Sequence, residues 1–288
     1  MRIGAVLPHH EIGTDPGAIK AYAQGLEAQG IDHLLVYDHV LGADPERPGG
    51  FDGPYDKDVA FHEPFAFLSF VAAVTETLEM TTAVLILPQR QTALVAKQAA
   101  ELAVLSANRF NLGVGTGWNE VEYDSLGVDF HDRGRRQAEQ VEVLRRLWTE
   151  DVVDVDGAFH TIPRASILPR PSAPIPIWFG GSAPALLRRC GELGDGWIPL
   201  GTPNETSAER LASIRAHREA AGRSMDGFAV QAQAQYRGGD PNRWRTHAER
   251  WRDLGASHLA VATHNAGDTD VDGHLARVAE YQAAITGV

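Results

Sequence analysis

The sequence predicts a single (β/α)8 TIM barrel, and three observations carry that expectation. Short apolar runs alternate with helical stretches from end to end, eight of each. A length of 288 residues suits one such barrel, for which about 250 residues is typical. No repeat, low-complexity tract or linker divides the chain, so residues 1–288 read as one domain. A doubly wound open sheet is the competing reading. That fold usually sets its cofactor turn after the first strand, where this chain has Pro8-His9-His10.

The strands expected from the apolar runs are Ile3–Leu7, His33–Tyr37, Met80–Leu87, Phe110–Val114, Ile175–Phe179, Gly196–Leu200, Phe228–Tyr236 and His258–Thr263. The helices between them are Pro16–Gln29, Glu63–Thr75, Thr92–Ser106, Asn119–Thr149, Ala183–Glu192, Glu205–Ala221, Pro241–Leu254 and Val271–Ile285. Gly30, Gly222 and Gly255 supply the usual C-terminal stop. In a barrel, loops after strands lie on the catalytic face. Residues 41–60 follow the second strand, and a loop of that length is usually a lid or binding loop. Residues 151–174 follow a helix and belong at the opposite end, with a small hairpin before the fifth strand turning at Asp156-Gly157.

Composition narrows the function classes. A formal charge of −12 argues against nucleic acid and anionic membrane as partners. Only three lysines stand among 26 basic residues, which fits a coding bias. The single cysteine, Cys190, excludes an internal disulfide and suits a reducing compartment. The N-terminal residues read as a strand and not as a signal peptide, and no apolar run approaches membrane-spanning length. A cytoplasmic protein acting on a small molecule is the expectation.

The richest stretch is residues 111–123, where an apolar strand runs through Gly113, Gly115, Thr116 and Gly117 into a helix starting near Asn119. Strand, glycine turn and helix N-terminus together offer unpaired N–H groups and a favourable dipole to a phosphate or a cofactor ring. Asn119 and Tyr123, four apart, would share a helix face. A plain tight turn explains the glycines equally well. Asp38-His39 ends the second strand, where the pair can orient a ring or move protons, a reading preferred to a plain strand-end cap. The fifth strand ends Gly180-Gly181-Ser182 and a helix follows at once, a second anion cradle. Two cradles on one face point to a phosphate-bearing cofactor. A metal site from His9, His10, Asp38, His39, His62 and Glu63 is disfavoured, because adjacent His9 and His10 should diverge on an extended backbone and no His-Glu-x-x-His is present. Ser182 lacks a nucleophile elbow. Gln231, Gln233 and Gln235 place three amides on one strand face, read as a polar layer inside the barrel with at most Gln235 reaching the rim.

Taken in order, Asp38-His39, the Leu-Pro end of strand three, Gly-Val-Gly-Thr-Gly-Trp-Asn-Glu-Val-Glu-Tyr and Ile-Trp-Phe-Gly-Gly-Ser-Ala-Pro resemble the bacterial-luciferase-like monooxygenase superfamily. Within it, the chain looks most like the deazaflavin-dependent branch that uses coenzyme F-420. The resemblance implies that Asp38 and His39 meet the pterin-like ring edge, with His39 handling protons. It places a non-proline cis peptide at Val84-Leu85, against the central ring. It assigns Asn119 and Tyr123 to the ribityl-phosphate, and Gly180, Gly181 and Ser182, beside Gly115, Thr116 and Gly117, to the cofactor cradle. His9 and Trp118 would line the substrate pocket. Sugar-phosphate dehydrogenases of the branch carry a glutamate at the Trp118 position and phosphate-binding lysines without counterpart here. That departure argues against glucose 6-phosphate and for an apolar substrate near Trp118.

The function expected is hydride transfer between the reduced deazaflavin and a small organic substrate. The alternatives are an FMN-dependent monooxygenase using dioxygen and a non-catalytic flavin-binding protein. No resident metal is expected, and the family leans toward a homodimer.

Overall fold

Every barrel strand pairs in parallel with both neighbours, which the alternation of strand and helix requires when each helix returns the chain to the same end. The computed structural model describes residues 1–237, 239–267 and 270–288. The order is β1 (Arg2–Val6), α1 (Pro16–Ala28), β2 (His33–Val36), α2 (Pro64–Val74), β3 (Glu79–Thr82), β4 (Leu85–Ile86), a 3-10 turn (Leu87–Gln89), α3 (Thr92–Leu105) and β5 (Phe110–Gly115). Then come α4 (Glu120–Ser125), α5 (Arg133–Thr149), β6 (Val153–Asp156), β7 (Thr161–Ala165), β8 (Ile177–Gly180), α6 (Pro184–Leu193), β9 (Gly196–Ile198), α7 (Glu205–Ala220), β10 (Ala229–Gln235), α8 (Pro241–Asp253), β11 (His258–Ala262) and α9 (Val271–Ile285).

The barrel runs β3-β2-β1-β11-β10-β9-β8-β5, and β3 pairs with β5 to close it. It is a (β/α)8 TIM barrel. The register is continuous where β1 meets β11, from Arg2 opposite His258 to Val6 opposite Ala262. Helices cover the outside with apolar faces. In α1, Ile19, Tyr22, Ala23 and Leu26 are buried at helical spacing, Asp15 caps the start by accepting from the Gly17 N–H, and Gly30 ends it at φ 72°. Inside the barrel, His33 is buried against β1, and only glycine fits opposite it, since a Cβ on Gly4 would lie 2.3 Å from the ring.

Three expectations are corrected. The third strand is not continuous from Met80 to Leu87. It breaks after Thr82, and β4 then pairs with β5 through Leu85–Val114 and Ile86–Gly115. The break carries the non-proline cis peptide, which joins Ala83 to Val84 and not Val84 to Leu85. Second, the expected helix from Asn119 to Thr149 is two. Gly127 at φ 69° turns the chain after α4, and Arg133 restarts it with its guanidinium 3.6 Å from the Phe130 ring centroid. Third, the hairpin of β6 and β7 forms as expected, but its turn does not stay at the end opposite the catalytic face. His160 lies 2.6 Å from Thr92 Oγ1 in the first turn of α3, and Glu139 of α5 accepts from the Ala158 and Phe159 amides. The hairpin therefore runs up the outside of α3 and α5.

Candidate active site

Val84 organises the floor of the catalytic face. The side chain that follows the cis bond projects between β5 and β8. A Cβ on Gly115 would lie 2.4 Å from its Cγ2, and a Cβ on Gly180 would lie 2.4 Å from its Cγ1. Both glycines are thus first a means of admitting Val84. Above it opens a cavity of about 650 Å³, within the range of cofactor-sized sites. Its lining brings together Asp38, His39, Val84, Gly115, Thr116, Gly117, Trp118, Gly180, Gly181 and Ser182 from the sequence-derived set.

Other members of that set lie elsewhere. Leu85 is fully buried and points into the core, because strand side chains alternate; its neighbour Ile86 faces the cavity. Asn119 is the cap of α4, its Oδ1 accepting from the Val121 N–H at 3.1 Å, so it does not share a helix face with Tyr123. Tyr123 is buried and donates its hydroxyl to the Thr116 carbonyl at 2.6 Å. Tyr123 thereby holds the 115–117 turn, and neither residue lines the cavity. His9 sits behind the 41–60 loop, stacked on Phe61 with ring centroids 4.2 Å apart. His9 and His10 do not diverge. A turn after β1, closed by the Glu11 N–H to the Pro8 carbonyl, folds the rings to 4.8 Å apart. Burial, with His10 and His264 beside it, lowers the His9 imidazole to about 3, so it stays neutral.

Asp38 is buried, and both oxygens are engaged. Oδ2 accepts from the Ile86 N–H at 2.9 Å, and Oδ1 accepts from Arg90 Nη2 at 2.7 Å. The carboxylate pins the end of β4 to the segment just after β2. His39 is partnered differently. Its Nδ1 lies 3.2 Å from Oε1 of Glu122, which is 1% exposed. That oxygen also accepts from the Val40 and Leu41 amides at 2.8 and 3.2 Å, and Oε2 accepts from Gln89 Nε2 at 3.2 Å. Burial alone would raise the Glu122 carboxyl, but the His39, Leu41 and Gln89 hydrogen bonds outweigh it and hold the group below its ordinary value.

Around His39 stands an aromatic wall contributed by the 41–60 loop, by Phe61 just after it and by Trp118. Tyr55, Phe61 and Trp118 lie 5.1, 4.7 and 5.7 Å from the imidazole centroid, and Phe51 stacks on Trp118 at 6.0 Å. Trp118 remains 42% exposed, so its ring edges the mouth. Across the cavity, Tyr37 donates to Gln233 Oε1 at 2.8 Å. Gln233, and not Gln235, therefore lines this cavity.

The opposite end of the cavity is basic. Arg133, Gly134, Arg189 and His131 join Gly180–Ala183 there. Arg189 Nε is buried without a hydrogen-bond partner. Burial, then the Arg188 and Arg133 charges, lower its affinity for its own proton. Two guanidinium groups held near a helix whose cap, Ala183, supplies no side-chain hydrogen bond suit an anion. The residues present thus fit a phosphate-bearing ring cofactor, with polar partners at the His39 end and cations at the Arg189 end. Glu122, Arg90, Arg133 and Arg189 escape the sequence reading. The signal for Arg189 was available, since Ala185 and Arg189 are spaced i, i+4 on the helix that opens at the glycine loop. No comparable signal marks Glu122.

Among the described residues, no helix is long and apolar enough to cross a membrane. A secondary alcohol dehydrogenase, F420-dependent and solved with an F420-acetone adduct, superposes with a TM-score of 0.82 over 99% of this chain and 98% of that one, at 17% identity. A monooxygenase from Streptomyces bottropensis superposes at 0.71 over 99% and 87%, at 21% identity. Likenesses this distant in sequence speak to the fold. An uncharacterized protein of Mycobacterium tuberculosis is 38% identical over 72% of this chain and 77% of its own length. The F420-dependent glucose-6-phosphate dehydrogenase of that organism is 32% identical over 74% of this chain and 62% of its own length. A pyrimidine monooxygenase of Allorhizobium ampelinum is 30% identical over 78% and 60%. The family described as luciferase-like monooxygenase matches residues 1–288. With that match across the whole chain, over a barrel whose catalytic face carries this cavity, the protein belongs to the luciferase-like monooxygenase family.

Proposed function

We propose that the protein is an oxidoreductase that moves a hydride between coenzyme F-420 and a small carbonyl or unsaturated substrate, with FMN as the alternative cofactor. The observation that carries this reading is the polarity of the cavity. An imidazole backed by a buried carboxylate stands at one end, the side chains of Arg133 and Arg189 stand at the other, and apolar Val84 and Ile86 lie between. The 32% identity to an F420-dependent dehydrogenase supports the deazaflavin over FMN. The deazaflavin supplies the hydride chemistry when bound.

The chain's own groups do the rest. Arg189 and Arg133, with the N–H group of Ser182, would hold the phosphate, since the Gly181 N–H already donates to the Ile198 carbonyl at 3.2 Å. Val84 and the Gly115–Gly117 turn, which line the cavity, would hold the ring. Asp38 keeps β4 in place. His39 faces the substrate. In the oxidising direction, its ring nitrogen takes the hydroxyl proton as the carbinol carbon loses hydride. In the reducing direction, the imidazolium returns that proton to the carbonyl oxygen. Tyr55, Phe61 and Trp118 keep water out and favour an apolar substrate.

The test is a fluorescence titration of purified protein with the deazaflavin and with FMN, followed by turnover in an oxygen electrode. The proposal expects tighter deazaflavin binding and no oxygen uptake. Stoichiometric oxygen consumption with reduced FMN would make the protein a monooxygenase, consistent with the likeness to the pyrimidine enzyme. Tight binding of either cofactor without turnover on any carbonyl or enone would leave a binding protein.

A further inference from the structure

The contacts of Glu122 fix more than a ring position. We infer that Glu122 is a positioning residue that sets the tautomer of His39, and that the same oxygen latches the 41–60 loop to the cofactor turn. Oε1 accepts from two backbone N–H groups, Val40 and Leu41, at 2.8 and 3.2 Å. An amide N–H can only donate, so that oxygen is the acceptor of both. Oε2 faces the Gln89 side-chain amide at 3.2 Å. Three donors around one buried carboxyl, two backbone amides and the Gln89 side chain, leave it ionised, in line with its lowered proton affinity. The His39 nitrogen 3.2 Å from Oε1 must then be the donor. In the neutral ring the Nδ1 carries the hydrogen and the Nε2 keeps its lone pair.

Among the described residues no protein group hydrogen-bonds that Nε2, and the ring lines the cavity. The carboxylate therefore presents a proton acceptor to the substrate and suppresses the other tautomer. It does so from α4, whose cap Asn119 follows the Gly115–Gly117 turn directly. Through the Val40 and Leu41 amides it also fastens the first residues of the loop that brings Tyr55 and Phe61 over His39. One carboxylate thus ties the cofactor turn, the proton-handling ring and the covering loop together. Its catalytic meaning rests on the hydride-transfer reading above, but its geometry does not.

The test uses cofactor-free protein with 15N-labelled histidine and long-range proton–nitrogen correlation above the pH of ring titration. His39→Asn identifies the signal. The wild type should show a protonated Nδ1 and an unprotonated Nε2 for His39. Glu122→Gln keeps an oxygen at the same place, and Gln89 can turn its unpartnered Oε1 toward the new amide, so the tautomer should persist. Glu122→Leu removes the acceptor. The Nδ1–H form should then fall below half of the population, and exchange at the Val40 and Leu41 amides should speed at least tenfold. A wild-type ring protonated at Nε2 overturns the inference, as does a Glu122→Leu spectrum unchanged from wild type. If Glu122→Leu does not fold, the wild-type and Glu122→Gln spectra decide, and loss of the Nδ1–H form in Glu122→Gln counts against it. Failure of the deazaflavin to bind in the fluorescence titration would defeat the functional reading and leave the tautomer result standing.

Discussion

His39 Nδ1 meets Glu122 Oε1 at 3.2 Å, across 83 residues of chain, and the glutamate is buried while the histidine faces the cavity. The pair has a consequence for acid stability. The Glu122 carboxyl lies below its ordinary value in the folded protein. Its contribution is therefore complete above the unfolded value of about 4.3 and is lost as pH falls through the lower folded value. Glu122→Gln should flatten that part of the acid limb. Thermal melting of both proteins between pH 6 and 3 checks it: the difference in Tm should shrink as pH falls. A constant difference would remove the linkage.

Val84 and Gly180 form a matched pair, because a Cβ on the glycine would lie 2.4 Å from Val84 Cγ1. Gly180→Ala should destabilise the fold by about 1–3 kcal/mol, the usual cost of overpacking. Val84→Ala in the same chain should recover most of that loss. Urea unfolding of the two single variants and the double variant measures the coupling. Additive effects would mean that the backbone, not Val84, excludes a side chain there.

Arg189 should contribute directly to cofactor affinity. Arg189→Gln is expected to weaken binding at least tenfold, about 1.4 kcal/mol. Arg188→Gln is the control, since Arg188 is 3.8 Å from Glu192 on the same helix and does not line the cavity. Gly181→Val should also weaken binding, but for another reason: Gly181 sits at φ 134°, and a Cβ there would meet Leu186 at 2.9 Å. Fluorescence titration at two salt concentrations separates the cases, because only the loss of Arg189 should reduce the salt dependence.

Cys190 should be silent toward thiol reagents in the folded protein. It is fully buried, and burial pushes its thiol well above the ordinary value. As the only cysteine, it reports unfolding cleanly. Disulfide-reagent labelling should begin only as urea unfolds the barrel. Rapid labelling under native conditions would show that α6 opens locally, and with it the Arg189 end of the cavity.

Hydrophobic periodicity by itself determined the barrel. Alternating apolar runs and amphipathic helices leave few ways to bury both, and Gly30, Gly222 and Gly255 mark helix ends through backbone conformations that the sequence names directly, at φ 72°, 70° and 87°. The same local logic brought Asp38, His39, Thr116 and Ser182 to one rim, since each ends a strand. Tertiary structure decided what those residues do. Whether Asp38 is a free carboxylate or a pin depends on Arg90, 52 positions away, and on the Ile86 amide. Whether Asn119 faces a ligand or caps a helix depends on where α4 begins. The site of the cis bond follows from how β4 reaches β5 around Val84, which no run of apolar residues encodes. Glu122 is the plainest case. In the sequence it is one of two glutamates in a short polar helix, and only closing the barrel gives one of them four hydrogen-bond partners. Periodicity is a property of neighbours along the chain, whereas the partner of a buried charge is set by neighbours in space.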